Sequence, residues 1–289
     1  MQWISAGLVC LSVSLHVGAE QKRETQPRWV KDLGYKSAEL FPVAKGAYGY
    51  PYVTVAVNGR SILLPLDTAN MFRLALSRSL AQSMKLTVIG ETPSYDANGA
   101  LLGKQRKFRV GSLSALGRAW SDQEAVEIEQ PGLNGLLGPH YLLGRRFTLD
   151  YGQGLLAVSD SPIPRSAPGM ALKLLQATDC PGMPVVEGSV NGRKVLIQID
   201  TGKSRTCIDR ALVRELALPK GANGYPVAQI KIGSWEFSVR SAREEDFSDI
   251  GKGLSSPILL GIGSDVLPQV LMTVDYRGRQ VKLTPILVQ

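Results

Sequence analysis

Two aspartates occupy matching positions in an internal repeat of the chain. Val57–Arg60 (VNGR) and an apolar run precede Asp67–Ala69 (DTA), and Val190–Arg193 (VNGR) and a second apolar run precede Asp200–Gly202 (DTG). The copies are offset by 133 residues at both motifs, from 57 to 190 and from 67 to 200. Two copies of a unit that each end a strand on Asp can bring two carboxyl groups together across a pseudo-two-fold axis.

Two carboxyl groups in one site form a catalytic device. They cannot both ionise cheaply, so the pair holds a single proton over a broad acid range. The charged member can act as a general base on a water molecule, while the protonated member donates to a substrate carbonyl. Asp67 and Asp200 are therefore the predicted catalytic residues. This chemistry requires no metal and no organic cofactor, and none is predicted.

Other hydrolytic or metal chemistries find less support in the residues. The full chain has two histidines and three cysteines. Beyond residue 19, His140 is the single histidine, which leaves a two-cysteine zinc site without further ligands. His140 also has no Ser or Cys partner in a recognisable setting, so a nucleophilic triad is not predicted.

The elements around each Asp follow the same order in both copies. Tyr52–Val57 alternates as a strand does, Asn58-Gly59 is a hairpin signal, and the return strand 61–66 delivers Asp67. The second copy repeats this with strands 184–190 and 194–199. Short helices are predicted at 77–86 and 209–218. The 30 Gly and 17 Pro favour strands and turns, so the predicted fold class is all-β, mainly β with short helices.

This order of apolar strand, Asp-Thr-Gly, helix, hairpin, then two apolar residues and Gly resembles the aspartic protease superfamily, which includes pepsin-like and retropepsin-like enzymes. The resemblance covers most of residues 51–289. It implies a single-chain, two-lobed form in which pseudo-two-fold related lobes enclose a cleft, and activity without dimerisation, so a monomer is predicted. It also implies an extended peptide or protein as the substrate.

The resemblance assigns supporting roles to six residues. Thr68 and Thr201 are expected to tie the two Asp loops together beneath the carboxyl groups. Gly202 allows a tight turn whose N–H approaches the carboxylates, and Ala69 stands at the matching place in the first loop. Gly138 and Gly261, each after a Leu-Leu pair, are expected to let an apolar segment cross close under an Asp loop.

A long hairpin in the first copy is similar in place to the flap that covers a bound peptide. Its tip is Asn98-Gly99, and Tyr95 just before the tip matches the flap tyrosine of pepsin-like enzymes. Closing such a flap excludes water from the site. An ordinary cross-strand aromatic is the alternative interpretation of Tyr95.

Two departures from the family pattern bear on activity. Ala69 stands where Gly is usual, and its methyl group is expected to restrict the loop and push the two carboxyl groups apart. The next position is Asn70 in one copy and Lys203 in the other. A cation pointing inward would favour ionised carboxylates. Lys203 is expected to point to solvent, because an unpaired buried Lys is rare. A catalytically inactive peptide-binding protein on the same fold is the alternative function.

The chain divides into five predicted parts: a signal peptide at 1–19, an N-terminal extension at 20–50, a first lobe at 51–160, a linker at 161–182 and a second lobe at 183–289. The apolar start and the small residues Val17–Ala19 suggest export, and hence a periplasmic or secreted protein. No other stretch predicts a membrane span. Residues 20–50 could mask an acidic cleft or form a solvated tail.

Charge and cysteines leave the partners less defined. The net charge of +8 comes from scattered Lys and Arg, and no nucleic-acid motif is present, so nucleic acid is not a predicted partner. Cys180 and Cys207 remain after removal of the signal peptide. A disulfide between them and two free thiols are equally compatible with the sequence.

Overall fold

The computed structural model describes residues 26–95 and 101–286, which are mostly β-strand with short helices. The predicted all-β class is confirmed. The arrangement as two lobes around a cleft and the five-part division stay predictions. The signal peptide at 1–19 lies outside the described residues, as do Asn98 and Gly99. In the part of the chain that is described, every helix is too short to cross a bilayer.

The described residues form twenty strands and three α-helices. The strands are β1 Leu40–Pro42, β2 Ala44–Lys45, β3 Pro51–Val57, β4 Arg60–Pro65, β5 Leu74–Ser77, β6 Thr87–Tyr95, β7 Leu101–Ala115, β8 Arg118–Ile128, β9 Gly135–Leu137, β10 Arg146–Asp150, β11 Leu155–Ser159, β12 Met170–Lys173, β13 Val185–Val190, β14 Arg193–Ile199, β15 Cys207–Asp209, β16 Tyr225–Ile232, β17 Trp235–Glu245, β18 Ile258–Ile262, β19 Val270–Asp275 and β20 Gln280–Pro285. The α-helices are α1 Arg28–Asp32, α2 Arg78–Ser83 and α3 Arg210–Glu215; 3₁₀ turns lie at Ser37–Glu39, Ala47–Gly49, Pro139–Tyr141 and Leu267–Gln269.

The two Asn-Gly turns form the hairpins that the sequence predicts. β3 pairs antiparallel with β4, and β13 pairs antiparallel with β14. Asn58 and Gly59 have φ of 48° and 81°, and Asn191 and Gly192 have 47° and 83°. Positive φ at both central residues is the type I′ requirement, which Asn-Gly satisfies at low cost. Each hairpin therefore returns the chain directly toward an Asp.

The two predicted helices begin at side-chain caps. Ser77 Oγ accepts a hydrogen bond from the N–H of Leu80 and begins α2. Asp209 Oδ1 accepts one from the N–H of Ala211 and begins α3. Each helix spans six residues. Each begins one residue after the start of its predicted segment and ends three residues before that segment's end.

Three sheets contain all the strands described. An eight-stranded sheet runs β2-β3-β7-β8-β5-β9, with β4 on β3 and β6 on β7. A closed sheet runs β13-β14-β18-β15-β17-β16 and returns to β13. A third sheet, called the joining sheet, runs β1-β11-β10-β19-β20-β12 and so contains strands from both copies of the repeat.

The joining sheet also includes segments that the sequence placed outside the lobes. β1, from the predicted N-terminal extension, pairs with β11, and β12, from the predicted linker, pairs with β20. The core beneath it crosses between the copies: Phe147 and Leu149 of β10, with Met272 and Val274 of β19, are fully buried in one cluster. This sheet holds the two Asp-bearing hairpins in one body.

Candidate active site

The two Asp loops leave their strands in the same way. Asp67 follows β4 after Leu66, and its N–H donates to Leu137 O at 2.9 Å. Asp200 follows β14 directly, and its N–H donates to Ile262 O at 3.0 Å. Each loop is therefore anchored to a buried strand, β9 or β18, that crosses beside it.

Thr68 and Thr201 bind the two loops to each other reciprocally. The N–H of Thr68 donates to Thr201 Oγ1 at 3.0 Å, and the N–H of Thr201 donates to Thr68 Oγ1 at 3.1 Å. Thr68 Oγ1 then donates to Ile199 O at 2.9 Å, and Thr201 Oγ1 donates to Leu66 O. Both side chains have 0% exposure. Four buried hydrogen bonds thus hold the loops at one fixed separation.

The carboxyl groups face each other above this threonine contact. The N–H of Ala69 donates to Asp67 Oδ1 at 3.0 Å, and the N–H of Gly202 donates to Asp200 Oδ1 at 2.8 Å. A Cβ built on Gly202 would overlap the Asp67 carboxyl group, so that group lies directly against the opposite loop. Asp67 is partly buried and Asp200 is buried. The structure brings together the two aspartates that the repeat predicts.

Burial and proximity both favour a proton on this pair. Desolvation is the main cause that raises the pKa of Asp67, and the charge of Asp200 and a side-chain hydrogen bond with it raise it further. Desolvation also raises the pKa of Asp200, while the cation of Lys203 opposes the rise. Two carboxyl groups in such a setting hold one proton between them, and one is then a base while the other is an acid.

The prediction that Lys203 points to solvent is wrong. Its side chain is 18% exposed, and Nζ lies 3.5 Å from Asp200 Oδ2 and 2.8 Å from Glu245 Oε1. The rule that buried Lys is rare holds for unpaired Lys. Here two carboxylates pair the ammonium, and the second, Glu245, lies 42 residues further along the chain.

The methyl group of Ala69 does not separate the carboxyl groups. Ala69 keeps a negative φ, so its backbone does not require glycine. Its side chain packs against the apolar cluster that contains Cys180 and Met183. Asn70, the counterpart of Lys203, closes its own turn, because its Oδ1 accepts from the N–H of Phe72 at 2.9 Å.

Gly138 lies against the backbone of the first Asp loop, whereas Gly261 lies against the Lys203 side chain and not against the backbone of the second loop. A Cβ on Gly138 would overlap Phe72 O, so the apolar segment does cross close to the first Asp loop. In the second copy the equivalent place belongs to Gly263, whose Cβ would lie 2.6 Å from Lys203 O. The hydrogen bonds agree, since Asp67 pairs with Leu137 and Asp200 with Ile262. The sequence match at the Leu-Leu-Gly motifs is therefore two residues out of register.

The structure describes the two strands of the predicted flap but not its tip. β6 and β7 pair antiparallel from Thr87↔Arg109 to Tyr95↔Leu101. Tyr95 is the last residue of β6, and the predicted tip at Asn98 and Gly99 lies beyond the described residues. The flap role of all three residues stays a prediction.

A cavity of about 170 Å³ adjoins the first aspartate. Its walls come from the Asp67 loop and from β5, β7, β8 and β9, so the hairpin that contains β7 borders it. The lining residues are Asp67, Asn70, Phe72, Ala75, Gln105, Glu127, Ile128 and Leu136. Larger cavities of about 720 and 400 Å³ include neither aspartate. Of these three cavities, the smaller one is the one that borders the carboxyl pair.

Three residues near the pair carry no signal in the sequence. Buried Glu127 forms an ion pair with Arg78 at the cavity wall. Desolvation and the charges of Asp200 and Asp67 raise the pKa of Tyr50. Tyr151 is buried, and its pKa is raised for the same reasons. These side chains reach the site from elements distant in sequence, and no local motif marks them.

Cys180 and Cys207 are both free and buried. Cys180 Sγ lies 3.7 Å from the carbonyl oxygens of Ala69 and Asn70, behind the first Asp loop. Burial, then the charge of Asp67, raises the pKa of the Cys180 thiol to about 12. The structure therefore adopts the free-thiol alternative. In residues 26–95 and 101–286, no group of His, Cys, Asp and Glu has a metal-binding arrangement.

The chain matches no protein-family model, and no curated protein is similar to it at a significant level.

Proposed function

We propose that the protein is an aspartic endopeptidase that hydrolyses peptide bonds with Asp67, Asp200 and an activated water. The observation that carries the proposal is the reciprocal threonine contact, which fixes two buried carboxyl groups against each other. A pair of this kind holds one proton, so it can deprotonate a water and protonate a carbonyl oxygen in the same step.

The substrate proposed is an extended peptide lying over the pair. The cavity beside Asp67 offers space for one side chain next to the reacting bond, and its outer wall is β7 of the long hairpin. An extended peptide matches this setting because its side chains alternate, so single pockets can select single residues. The proposed setting is outside the cytoplasm, in the periplasm or the medium, on the basis of residues 1–19 alone.

Cleavage of an unfolded polypeptide by the purified protein tests the proposal. Activity is expected in acid and to extend toward neutral pH, because the pKa values of both carboxyl groups are raised. Asp67→Asn and Asp200→Asn should each reduce kcat by about 10³-fold or more, since neither half can then complete the proton transfers. Asp122→Asn is the matched control, because Asp122 is exposed and its φ of 51° suits Asn. Equal activity in the three variants would exclude Asp67 and Asp200 as the catalytic residues.

A catalytically inactive peptide-binding protein is the second candidate, and the Lys203–Asp200 ion pair favours it. A cation that kept both carboxyl groups ionised would remove the acid from the reaction. This candidate predicts binding of extended peptides with no cleavage at any pH. A statine-type peptide discriminates between the two, because its hydroxyl occupies the place of the attacking water. Binding lost in both Asp→Asn variants supports the peptidase.

A further inference from the structure

The second Asp loop leaves space for the long side chain of Lys203. A Cβ on Gly261 would lie 3.1 Å from Lys203 Cε, and a Cβ on Gly263 would lie 3.0 Å from Lys203 Cβ. The ammonium lies 5.5 Å from the centre of the Phe247 ring. Two glycines and an aromatic ring therefore enclose the stem, while the first loop has Asn70 at this position.

Two carboxylates fix the ammonium group at the end of this stem. Glu245, at the end of β17, is 19% exposed and accepts from Nζ at 2.8 Å. Asp200 Oδ2 lies 3.5 Å from the same Nζ. The backbone is also held, because Lys203 O accepts from the N–H of Ser264 at 2.8 Å. Asp200, Lys203 and Glu245 thus form a partly buried row of charges that ends at one member of the pair.

Other titratable groups that face this row are neutral. Cys207 of β15 faces Lys203, and Tyr50, Tyr151 and Cys180 face the aspartates. Burial raises the pKa of each of these thiols and phenols, so they carry no charge near neutral pH. Within residues 26–95 and 101–286, Lys203 is the one cation that contacts the pair.

We propose that Lys203, held by Glu245, is a positioning residue that keeps the negative charge on Asp200 and leaves the shared proton on Asp67. The inference rests on the proposed peptidase activity. In the reaction, Asp200 takes a proton from the water while the water oxygen bonds to the carbonyl carbon of the peptide. The carbonyl π electrons move to the carbonyl oxygen, which takes the proton from Asp67. The two aspartates therefore have fixed and different roles.

Removing the cation of Lys203 and removing the anion of Glu245 should shift the acid limb of the pH–activity profile in opposite directions. This limb marks the second protonation of the pair, on Asp200. Lys203→Met removes a cation that lowers the pKa of Asp200, so the limb should move to higher pH by about one unit or more. Glu245→Gln removes an anion that raises the pKa of Asp200, so the limb should move to lower pH.

Three further variants control for folding and for general charge effects. Lys203→Arg keeps the cation and should keep the limb near its wild-type position. The double variant Lys203→Met with Glu245→Gln leaves no unpaired buried charge at these two positions, and its limb should lie between those of the single variants. Lys231→Met removes the cation of the exposed Lys231–Glu236 pair and should leave the limb unmoved.

Carboxyl ¹³C titration by NMR, with signals assigned through the two Asp→Asn variants, reads the same groups without turnover. Opposite shifts in Lys203→Met and Glu245→Gln support the inference. Shifts in one direction, or none, overturn it even if cleavage is present. Opposite carboxyl shifts without any cleavage support the charge assignment and exclude the peptidase proposal instead.

Discussion

At the scale of single residues, the backbone of Gly202 lies directly against the Asp67 carboxyl group. A side chain at 202 would overlap the Asp67 carboxyl group. We expect Gly202→Ala to displace Asp67 and reduce kcat/KM by about 10²-fold, since small misplacements of reacting groups cost that much. Ala69→Gly, the matched change on the other loop, should retain activity and lose about 0.5–1 kcal/mol of stability. Activity assays with urea unfolding check both, and an active Gly202→Ala variant would contradict the geometry.

A second residue-scale prediction concerns stability and pH. Burial raises the folded-state pKa of Asp67 above its unfolded value of about 4. The folded state then retains a proton that the unfolded state has released. The stability gained is complete below pH about 4 and is lost as the pH rises through the folded-state pKa. Asp67→Asn abolishes this loss, so it should raise Tm at neutral pH more than at acid pH.

Thermal unfolding of wild type and Asp67→Asn across this pH range measures the effect. Asp122→Asn serves again as the control for the loss of a carboxyl group, because Asp122 is exposed and lies outside the pair. A Tm gain for Asp67→Asn that is larger in acid would show that the pKa of Asp67 is lowered instead.

Among single residues, the sequence predicted the meeting of the Asp and Thr residues but not the direction of the Lys203 side chain. The spacing of the repeat predicted that Asp67, Asp200, Thr68 and Thr201 come together, because each pair lies at the same distance from its hairpin. The direction of Lys203 was not predictable. Its partner Glu245 is 42 residues away and belongs to a different strand, and no local pattern connects them.

At the scale of elements, the threonine contact is the connection between the two Asp loops. Thr68→Val and Thr201→Val keep the side-chain volume but each leaves the N–H of the opposite threonine buried without a partner. Each should lower the free energy of unfolding by about 1–3 kcal/mol. Each should also reduce kcat, since the loops are no longer held together. Thr54→Val, on the exposed face of β3, is the matched control.

Chemical denaturation and kinetics together check this prediction. The double variant should lose less than the sum of the single variants, because either change alone already loosens the contact that keeps the other hydrogen bond in place. Additive losses would mean that the two threonines stabilise their own loops independently.

Elements with local signals were predictable, and those fixed by distant partners were not. Asn-Gly turns and the Ser77 and Asp209 caps encode their own conformations, so the hairpins and helices followed from the sequence. β12 has no local signal in a segment rich in Pro and Ser, and it forms because β20 offers an unpaired edge. The position of Gly263 was missed because the repeat changes register after α3, and apolar pairs alone do not mark the shift.

At the scale of the whole molecule, the joining sheet makes the two copies of the repeat one structural unit. β10 of the first copy pairs with β19 of the second, and the hydroxyl groups of Thr148 and Thr273 hydrogen-bond at 2.8 Å across that pairing. Tyr35 extends the chain of hydroxyls to the segment before β1, again at 2.8 Å. These hydrogen bonds connect the two copies of the repeat and the segment before β1.

This shared sheet predicts a single cooperative unfolding transition, although chains of this length often unfold in steps. Trp120 reports on the eight-stranded sheet, where it packs against Tyr141, and Trp235 reports on the closed sheet, where it stacks on Phe237. Fluorescence of Trp120→Phe and Trp235→Phe variants should give the same midpoint in urea, and both should match the loss of β-structure by circular dichroism. Phe147→Ala removes a buried side chain beneath the joining sheet. It should move the two fluorescence transitions and the circular dichroism transition to lower urea concentration together. Separate midpoints would mean that the two copies fold independently and that the carboxyl pair depends on docking alone.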